Sequence, residues 1–229
     1  MNVAIIVAGG SGLRMGSEIP KQFLKVAGKP ILMHTLGIFR KYDSDMAIIL
    51  VLPESQISYW ERLCESEQFG VSHDIVKGGE TRYHSVRNGL MYAKEHYPEA
   101  ESIAVHDGVR PLVSTKTIGS CFDDAREYGS AIPVMASVES VRLIDERDSK
   151  LSYAIDRRCV MLVQTPQVFS AEMIYSSYDI GYRETFTDDA SVCEAAGYKM
   201  HLTEGNKENV KITTPDDLIL AETLLKKSK

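Results

Sequence analysis

The amino-acid sequence predicts an α/β protein with a mostly parallel sheet that is covered by helices on both faces. Short apolar runs alternate with longer segments whose apolar residues recur at helical spacing. The runs VAIIVA (residues 3–8) and MAIILVLP (residues 46–53) are apolar at consecutive positions, as expected for strands buried on both faces. Both observations favour a Rossmann-like arrangement, in which ligands bind at the carboxyl ends of the strands.

The remaining elements follow from the same signals, taken in chain order. Strands are predicted at residues 3–8, 46–53, 73–76 and 102–107. Helices are predicted at residues 30–42, 59–67, 82–97 and 114–128. A last helix is expected after Thr214, which would cap it, with Pro215 in its first turn. The loops after Ala8, Val76 and His106 should then meet at one edge of the sheet.

Residues 131–163 follow a different pattern, because apolar and polar residues alternate and ERDSK forms a turn-like break. This alternation predicts a protruding β-hairpin arm. We therefore expect a single domain over residues 1–229 with a dimerisation arm at about residues 136–158. An isolated hairpin is only marginally stable in water, so the arm should pack on another surface, with a second copy of the chain as the candidate.

Composition and charge exclude several classes of function. The chain has 229 residues, of which 44% are hydrophobic and 25% charged, with a net charge of −6. An acidic protein is a poor candidate for non-specific binding of nucleic acid or membrane. The four cysteines are far apart and form no CxxC pair, which favours reduced thiols. The apolar N-terminus lacks the pattern of a signal peptide, so we expect a cytoplasmic protein.

A glycine-rich segment with local positive charge follows the first predicted strand. Four basic residues and one acidic residue lie between Gly9 and Lys29, a local charge of +3 in an acidic protein. The spacing Gly10–Gly12–Gly16 is one residue too long for the dinucleotide-binding motif, and the P-loop motif is absent. Glycines still let backbone N–H groups approach an anion closely. The alternative is a glycine-rich turn with solvated lysines.

Six motifs in order make the sequence recognisable. AGGSGLRMG with PKQFL near the N-terminus is similar to the signature of the CTP-dependent nucleotidyltransferases that activate polyol phosphates. The motifs that follow also resemble this family: GGETRYHSVRNGL, VHDGVRP, DRRCVMLVQTPQVF, TDDASVCEAAG and GNKENVKITTPDDL. They extend from the first strand to the last helix. The second half of the chain looks more like the branch that uses a methylated erythritol phosphate than the branch that uses ribitol 5-phosphate.

The resemblance implies transfer of CMP from CTP to a polyol phosphate. Arg14 and Lys21 match the residues that stabilise the transition state. The matched nucleotide-binding residues are Ala8, Gly9, Gly10, Gly12, Gly79, Glu80 and Ser85. The family often has Asp at the position of Glu80. A site that reads cytosine would leave its polar groups unpaired with uracil, so CTP should be preferred over UTP.

The resemblance also assigns the second substrate, a metal and a partner. The substrate-binding positions it implies are Arg157, Lys211, Ser140, Thr165, Thr187, Asp188 and Arg110. Pairing with Asp107 is an equally good account of Arg110. A carboxylate at the end of a buried strand suits Mg²⁺, which makes Asp107 the candidate metal ligand. In this family the arm reaches into the partner's active site, which implies a homodimer with shared active sites.

Three alternatives remain at this stage. The first is the same reaction with ribitol 5-phosphate as the substrate. The second is a non-catalytic nucleotide-binding protein, although such a protein would not need both Arg14 and Lys21. The third, a dinucleotide-dependent oxidoreductase, is disfavoured by the glycine spacing.

Overall fold

The protein is built on one sheet, shown by a computed structural model that describes residues 1–10 and 19–227. The strands are β1 (Asn2–Val7), β2 (Lys25–Val26), β3 (Lys29–Pro30), β4 (Ala47–Leu52), β5 (Asp74–Lys77), β6 (Ser102–Asp107), β7 (Ser130–Ala136), β8 (Val141–Ile144), β9 (Ser152–Ile155), β10 (Met161–Val163), β11 (Gln167–Ser170) and β12 (Leu202–Glu204). The helices are α1 (Ile31–Tyr42), α2 (Glu54–Ser66), α3 (Arg82–His96), α4 (Thr115–Tyr128), α5 (Ala171–Ser177), α6 (Asp189–Ala195) and α7 (Pro215–Lys227).

The strand order gives the sheet one functional edge. Within the described residues, eight strands form the sheet in the order β10–β7–β11–β6–β1–β4–β5, and β12 pairs with β7. Strand β11 is antiparallel to both β6 and β7, and β10 is antiparallel to β7. The other ladders are parallel. Strands β1, β4, β5, β6, β7 and β12 therefore end at the same edge, where β10 and β11 begin. The predicted α/β class with a mostly parallel sheet is confirmed.

Strand β1 shows why helices cover both faces. Its side chains alternate between two apolar clusters, with Ala4 and Ile6 in one and Val3, Ile5 and Val7 in the other. Helices α1, α2 and α4 contribute to the first cluster, and α3, α5 and α6 to the second. Each fully buried aliphatic side chain stabilises the fold by roughly 1.5–3 kcal/mol. The sheet therefore has no solvent-facing side at its centre.

The structure corrects one predicted helix boundary and, at a second helix, the expected role of a capping residue. Helix α2 begins at Glu54, earlier than the predicted residue 59, because Pro53 ends β4 and directly starts the helix as its N-cap. At α7, Thr214 does not cap by accepting a hydrogen bond. Its backbone N–H and hydroxyl instead donate to Asp217 Oδ2, at 2.8 and 2.9 Å, as do those of Thr213. Pro215 opens the helix as predicted.

The predicted arm is shorter than the alternating pattern indicated. Strand β7 is buried over its first four residues and pairs with β11, so it belongs to the central sheet. Strand β10 also returns to the sheet beside β7. Only β8 and β9 form the separate two-stranded hairpin, from residue 141 to residue 155. Among the described residues, none of the helices has the length and apolar character needed to cross a membrane.

The single tryptophan lies in a hydrogen-bonded pair with a histidine. Trp60 is fully buried, and its indole N–H donates to His73 Nε2 at 2.9 Å. His73 Nδ1 lies 2.7 Å from the Val71 carbonyl, which can only accept, so the ring carries its proton on Nδ1. Burial lowers the pKa of His73, with Arg40 adding to this and the Val71 carbonyl and Asp74 opposing it. The native ring is therefore held neutral.

This arrangement predicts an acid-sensitive stability. A lowered native pKa means that the unfolded state binds the proton first, so stability falls as the pH drops through the unfolded value of about 6.5. One unit below that value, the loss is at most about 1.4 kcal/mol. We expect His73→Gln, which does not titrate, to show a smaller drop in Tm between about pH 7.5 and about pH 5.5 than the unsubstituted protein. Trp60 fluorescence reports the unfolding, and equal drops would contradict the expectation.

Candidate active site

A cavity of about 350 Å³ opens at the carboxyl edge of the sheet. Its walls come from the segments after β1, β4, β5 and β6, together with the residues that precede α7. The residues that line it are Val7, Ala8, Gly9, Gly10, Lys21, Gln22, Pro53, Gly78, Gly79, Glu80, Thr81, Arg82, Ser85, Asp107, Val109 and Lys211. The predicted meeting of the loops after Ala8, Val76 and His106 is confirmed.

The first wall is the glycine segment and the turn that carries Lys21. Gly9 and Gly10 are exposed, so their backbone is open to a ligand. Lys21 begins a short 3₁₀ turn (Lys21–Phe23) and is largely buried. A Cβ atom on Gly10 would lie 3.5 Å from Lys21 Cε, so the lysine stem packs against the glycine segment. Arg14 and Gly12 lie outside the described residues.

Gln22 connects this turn to the end of β1. It is fully buried, and its Nε2 donates to the Ala8 carbonyl at 2.9 Å and to Gln56 Oε1 at 2.6 Å. The Ala8 N–H in turn donates to the Val51 carbonyl at 3.0 Å. Ala8 is therefore fixed from both sides, and Gln22, the next residue after Lys21, ties the Lys21 turn to it. Sequence reasoning did not assign Gln22 a role, although it lies in the PKQFL motif.

The second wall is the turn between β5 and α3. The Gly79 N–H donates to Ser85 Oγ at 3.1 Å, and the Ser85 hydroxyl donates to the Thr81 carbonyl at 3.0 Å. Ser85 lines the cavity and also holds this turn in shape. A Cβ on Gly79 would come within 2.4 Å of His84 Cβ, so the close approach requires glycine here. Glu80 lies exposed at the rim.

Three cations surround Asp107 at the end of β6. Lys211 Nζ lies 3.0 Å and Arg110 Nε 3.4 Å from Asp107 Oδ2, and Arg82 Nε lies 3.7 Å from Oδ1. Burial alone would raise the pKa of Asp107, but Arg82, Lys211 and Arg110 hold it well below its usual range. Arg110 also donates to the Asn209 carbonyl at 2.7 Å. The pairing of Arg110 with Asp107 that the sequence allowed is present.

A buried relay holds Asp107 from the backbone side. Its N–H donates to Thr165 Oγ1 at 3.1 Å, and that oxygen lies 3.0 Å from His106 Nδ1. His106 Nε2 lies 3.0 Å from the Arg110 carbonyl, so Nε2 carries the proton and Nδ1 accepts from Thr165. Burial lowers the pKa of His106 to about 4. The Thr165 hydroxyl is thus engaged with its neighbours, and its predicted contact with substrate stays a prediction.

The other predicted substrate residues lie outside the cavity lining of the same chain. Asp188 caps α6, accepting from the Ser191 N–H at 2.9 Å and from Gln167 Nε2 at 2.7 Å. Thr187 is exposed just before it. Ser140 and Arg157 are exposed next to the hairpin, and Arg157 donates to the Val138 carbonyl at 2.8 Å. These contacts are structural, so a substrate role for any of the four residues stays a prediction.

Asp107 is the candidate metal ligand, and its carboxylate is held in the cavity wall, whereas Glu80 lies at the exposed rim. Among residues 1–10 and 19–227, no group of three or more His, Cys, Asp or Glu side chains is arranged to hold a metal ion. Asp107 Oδ1 faces Arg82 Nε at 3.7 Å, which is beyond hydrogen-bond distance. Mg²⁺ is commonly held by one or two carboxylates together with substrate phosphates and water. The donor set at Asp107 fits that mode of binding.

Sequence reasoning missed three buried or partly buried residues that hold the site together. Arg82 and Asp189 form a bidentate ion pair at 3.0 and 2.7 Å. Asn209 Nδ2 donates to the Thr165 carbonyl at 2.7 Å and to Gln164 Oε1 at 3.2 Å. All three lie within motifs that were recognised. Their pairing across more than forty positions of sequence leaves no signal in a single chain.

The fold and the cavity define an α/β protein with a cavity at the carboxyl edge of a mostly parallel sheet, lined by a glycine segment and a cluster of cations, an arrangement suited to an anionic ligand. A family model described as 2-C-methyl-D-erythritol 4-phosphate cytidylyltransferase matches residues 2–227. The chain belongs to this family.

Individual relatives and solved structures agree with the assignment. A 2-C-methyl-D-erythritol 4-phosphate cytidylyltransferase from Phocaeicola vulgatus is 51% identical over 221 residues, covering 96% of this chain and 98% of that protein. One from Bacteroides thetaiotaomicron is 50% identical with the same coverage. The crystal structure of 4-diphosphocytidyl-2C-methyl-D-erythritol synthase from Anaerococcus prevotii superimposes with a TM-score of 0.82 at 29% identity, covering 98% of both chains.

The close packing at Gly79 gives a stability prediction. We expect Gly79→Ala to lower the free energy of unfolding by about 1–3 kcal/mol, because the new methyl group would overlap the first carbon of the His84 side chain. Gly70→Ala is the matched control, since a Cβ there meets nothing within 4 Å. Urea unfolding of both variants measures the difference. Equal stability of the two variants would show that the turn relaxes without cost.

Proposed function

We propose that this protein transfers CMP from CTP to 2-C-methyl-D-erythritol 4-phosphate, giving 4-diphosphocytidyl-2-C-methyl-D-erythritol and pyrophosphate. Membership of the family supports this activity, and the relatives quoted above carry the name of the same enzyme. The observation that carries it is the shared cavity, which the glycine segment, Lys21 and the Asp107–Lys211 pair all line. The names of these relatives favour neither the alternative with ribitol 5-phosphate as substrate nor the alternative of a non-catalytic nucleotide-binding protein.

The proposed chemistry is a displacement at the α-phosphorus of CTP. A phosphate oxygen of the methylerythritol phosphate forms a bond to that phosphorus, while the bond to the bridging oxygen breaks and pyrophosphate leaves with the electron pair. The nucleophile is already ionised near neutral pH, because the second pKa of a phosphate monoester is about 6. The cavity therefore needs no general base. Its task is to bring two anions together and to stabilise the charge that accumulates at phosphorus.

Lys21 and the glycine segment supply that stabilisation in this proposal. Lys21 is largely buried beside Gly10, so its ammonium group acts where water is partly excluded and where its charge counts for more than in bulk solvent. The backbone of Gly9 and Gly10 is open to the triphosphate. By its match to the family motif, Arg14 is proposed to act on the same phosphates. The turn held by Ser85 forms the wall proposed to bind the cytosine nucleotide.

The cluster at Asp107 is proposed to receive the second substrate. Lys211 has a half-exposed side chain and is the cation of the cluster with the most access to an incoming phosphate. Asp107 can bond the polyol hydroxyls or hold Mg²⁺ together with the phosphates of CTP. When bound, Mg²⁺ would neutralise phosphate charge at this point. Arg110 is tied to Asp107 and to the Asn209 carbonyl, and would keep the cluster in place.

A homodimer would complete the site. The hairpin and the adjoining β10 expose apolar side chains that the chain itself does not cover. The exposed side chains of this region are Val138, Leu143, Ile144, Leu151, Tyr153, Met161, Leu162 and Val163. Many large exposed apolar side chains concentrated in one segment are typical of an interaction site. We propose that it contacts a second copy of the chain, which would bring Ser140 and Arg157 to the partner's cavity. The cytoplasmic location expected from the sequence stays a prediction.

Release of pyrophosphate tests the activity. With CTP and Mg²⁺, we expect release with 2-C-methyl-D-erythritol 4-phosphate and much slower release with ribitol 5-phosphate, and UTP should replace CTP poorly. Lys21→Ala should lower kcat by about 10²–10³, because it removes one charge aimed at the reacting phosphate. Lys25→Ala, at an exposed lysine of the same segment, is the matched control. A preference for ribitol 5-phosphate would contradict the proposed substrate and support the alternative in which CMP is transferred to ribitol 5-phosphate.

Mixed dimers test the shared site. Lys21→Ala and Arg157→Ala should each be nearly inactive alone. After subunit exchange, up to about half of the dimers would be hybrids, and one of the two sites in each hybrid would have both residues intact. We therefore expect activity to rise on mixing, with exchange checked by two mass-labelled copies. A mixture that exchanges subunits but stays inactive would show that each chain builds its own site.

A further inference from the structure

A partly buried ion pair joins the first residues of helices α3 and α6. Arg82 is the first residue of α3, and Asp189 is the first residue of α6. Arg82 Nη1 donates to Asp189 Oδ1 at 3.0 Å, and Nη2 donates to Oδ2 at 2.7 Å. The Asp189 side chain has no exposure to solvent, and its Oδ1 also accepts from the Tyr178 hydroxyl at 2.7 Å. The carboxylate is therefore fixed on both sides.

The geometry leaves Arg82 little freedom to bind a substrate itself. Both terminal nitrogens of the guanidinium face Asp189, while Nε lies 3.7 Å from Asp107 Oδ1. A bidentate contact with a phosphate would require Arg82 to abandon a buried carboxylate, which is costly. Arg82 nevertheless lines the cavity. Its positive charge is thus held at a constant place beside Asp107.

Four charged groups of alternating sign follow one another across this edge. They are Asp189, Arg82, Asp107 and Lys211, with contacts of 2.7, 3.7 and 3.0 Å between neighbours. The last is the cation that the proposed function assigns to the polyol phosphate. Because Arg82 neutralises one side of Asp107, the attraction of Asp107 for Lys211 is weaker than it would be without Arg82.

We propose that Arg82 and Asp189 form a positioning pair that sets the orientation of Asp107 and, through it, the availability of Lys211 for the polyol phosphate. This inference rests on the proposed function. Asp189 holds the guanidinium in the plane where Nε faces Asp107, and Arg82 keeps Asp107 from drawing Lys211 fully into its own ion pair. The pair therefore acts on the second substrate, whereas the nucleotide is bound by the glycine segment and the turn after β5.

Two variants separate positioning from simple structural support. Asp189→Asn keeps the shape of the side chain but weakens the hold on Arg82, so that Arg82 no longer keeps Asp107 in its orientation and Lys211 is drawn further into the ion pair with Asp107. The double variant Arg82→Met with Asp189→Leu removes both charges together, a change that buried ion pairs often tolerate without loss of stability. The control is Arg126→Met with Asp123→Leu, which removes an exposed pair of the same residue types on α4.

We expect both site variants to raise the KM for 2-C-methyl-D-erythritol 4-phosphate about 10–100-fold, as is typical when an orienting partner of a functional group is lost. The KM for CTP should stay within about twofold, and the control should change neither constant. Wild-type KM for the polyol phosphate in the double variant would overturn the inference. If the double variant does not fold, Arg82→Lys, which keeps the charge without the planar fork, replaces it, and the same KM decides.

The proposed function can fail without deciding this inference, so a structural readout accompanies the kinetics. Release of no pyrophosphate by the unsubstituted protein with either polyol phosphate would refute the proposed function alone. A crystal structure of Asp189→Asn then decides the pairing. We expect the Asp107–Lys211 contact of 3.0 Å and the Arg82–Asp107 distance of 3.7 Å both to change. Retention of both distances would overturn the inference whatever the activity.

Discussion

The structure depends above all on one buried negative charge. Asp107 ends the strand next to β1, where its side chain is nine-tenths buried. An ionised carboxylate cannot remain at such a place without compensating charge. Arg82 from α3, Arg110 from the loop after β6 and Lys211 from the segment before α7 provide it. Parts of the chain more than a hundred residues apart are thereby drawn to the carboxyl edge of the sheet, and the cavity forms where they meet.

The direction of each strand decides which loops can take part. The parallel strands all end at the carboxyl edge of the sheet, so the residues that follow β1, β5 and β6 meet there and line the cavity. Strand β11 is antiparallel to β6, so it begins at this edge, and the residues that precede it lie there. Thr165 lies two positions before β11 and therefore reaches the Asp107 backbone and the His106 ring. One reversed strand gives the site a residue that a wholly parallel sheet of the same order would place at the opposite edge.

The sequence predicted well those features whose cause is local. The bounds of β6 were predicted in full, since an apolar run ends there at a charged residue. The start of α2 was missed because its first residues are polar and Pro53 gives the only signal. The sequence does not separate β7 from the arm, because the changed pattern already begins at residue 131, within β7. The Arg82–Asp189 pair could not be predicted, since the two residues are 107 positions apart in the sequence and only the folded chain brings them together. The cavity was located correctly because strand order and motif position both point to it.

The place where the hairpin leaves the sheet has a consequence for how such proteins can diversify. Strand β7 runs parallel to β6 and β10 begins beside its last residue, so the residues between Ala136 and Met161 leave the sheet at its carboxyl edge. The insertion crosses no core element, and its residues are mostly exposed. Its length and composition can therefore change without disturbing the packing below. The hairpin can therefore vary as a separate module, and a change in it would alter what the chain contacts while leaving the core and the cavity wall of the same chain intact.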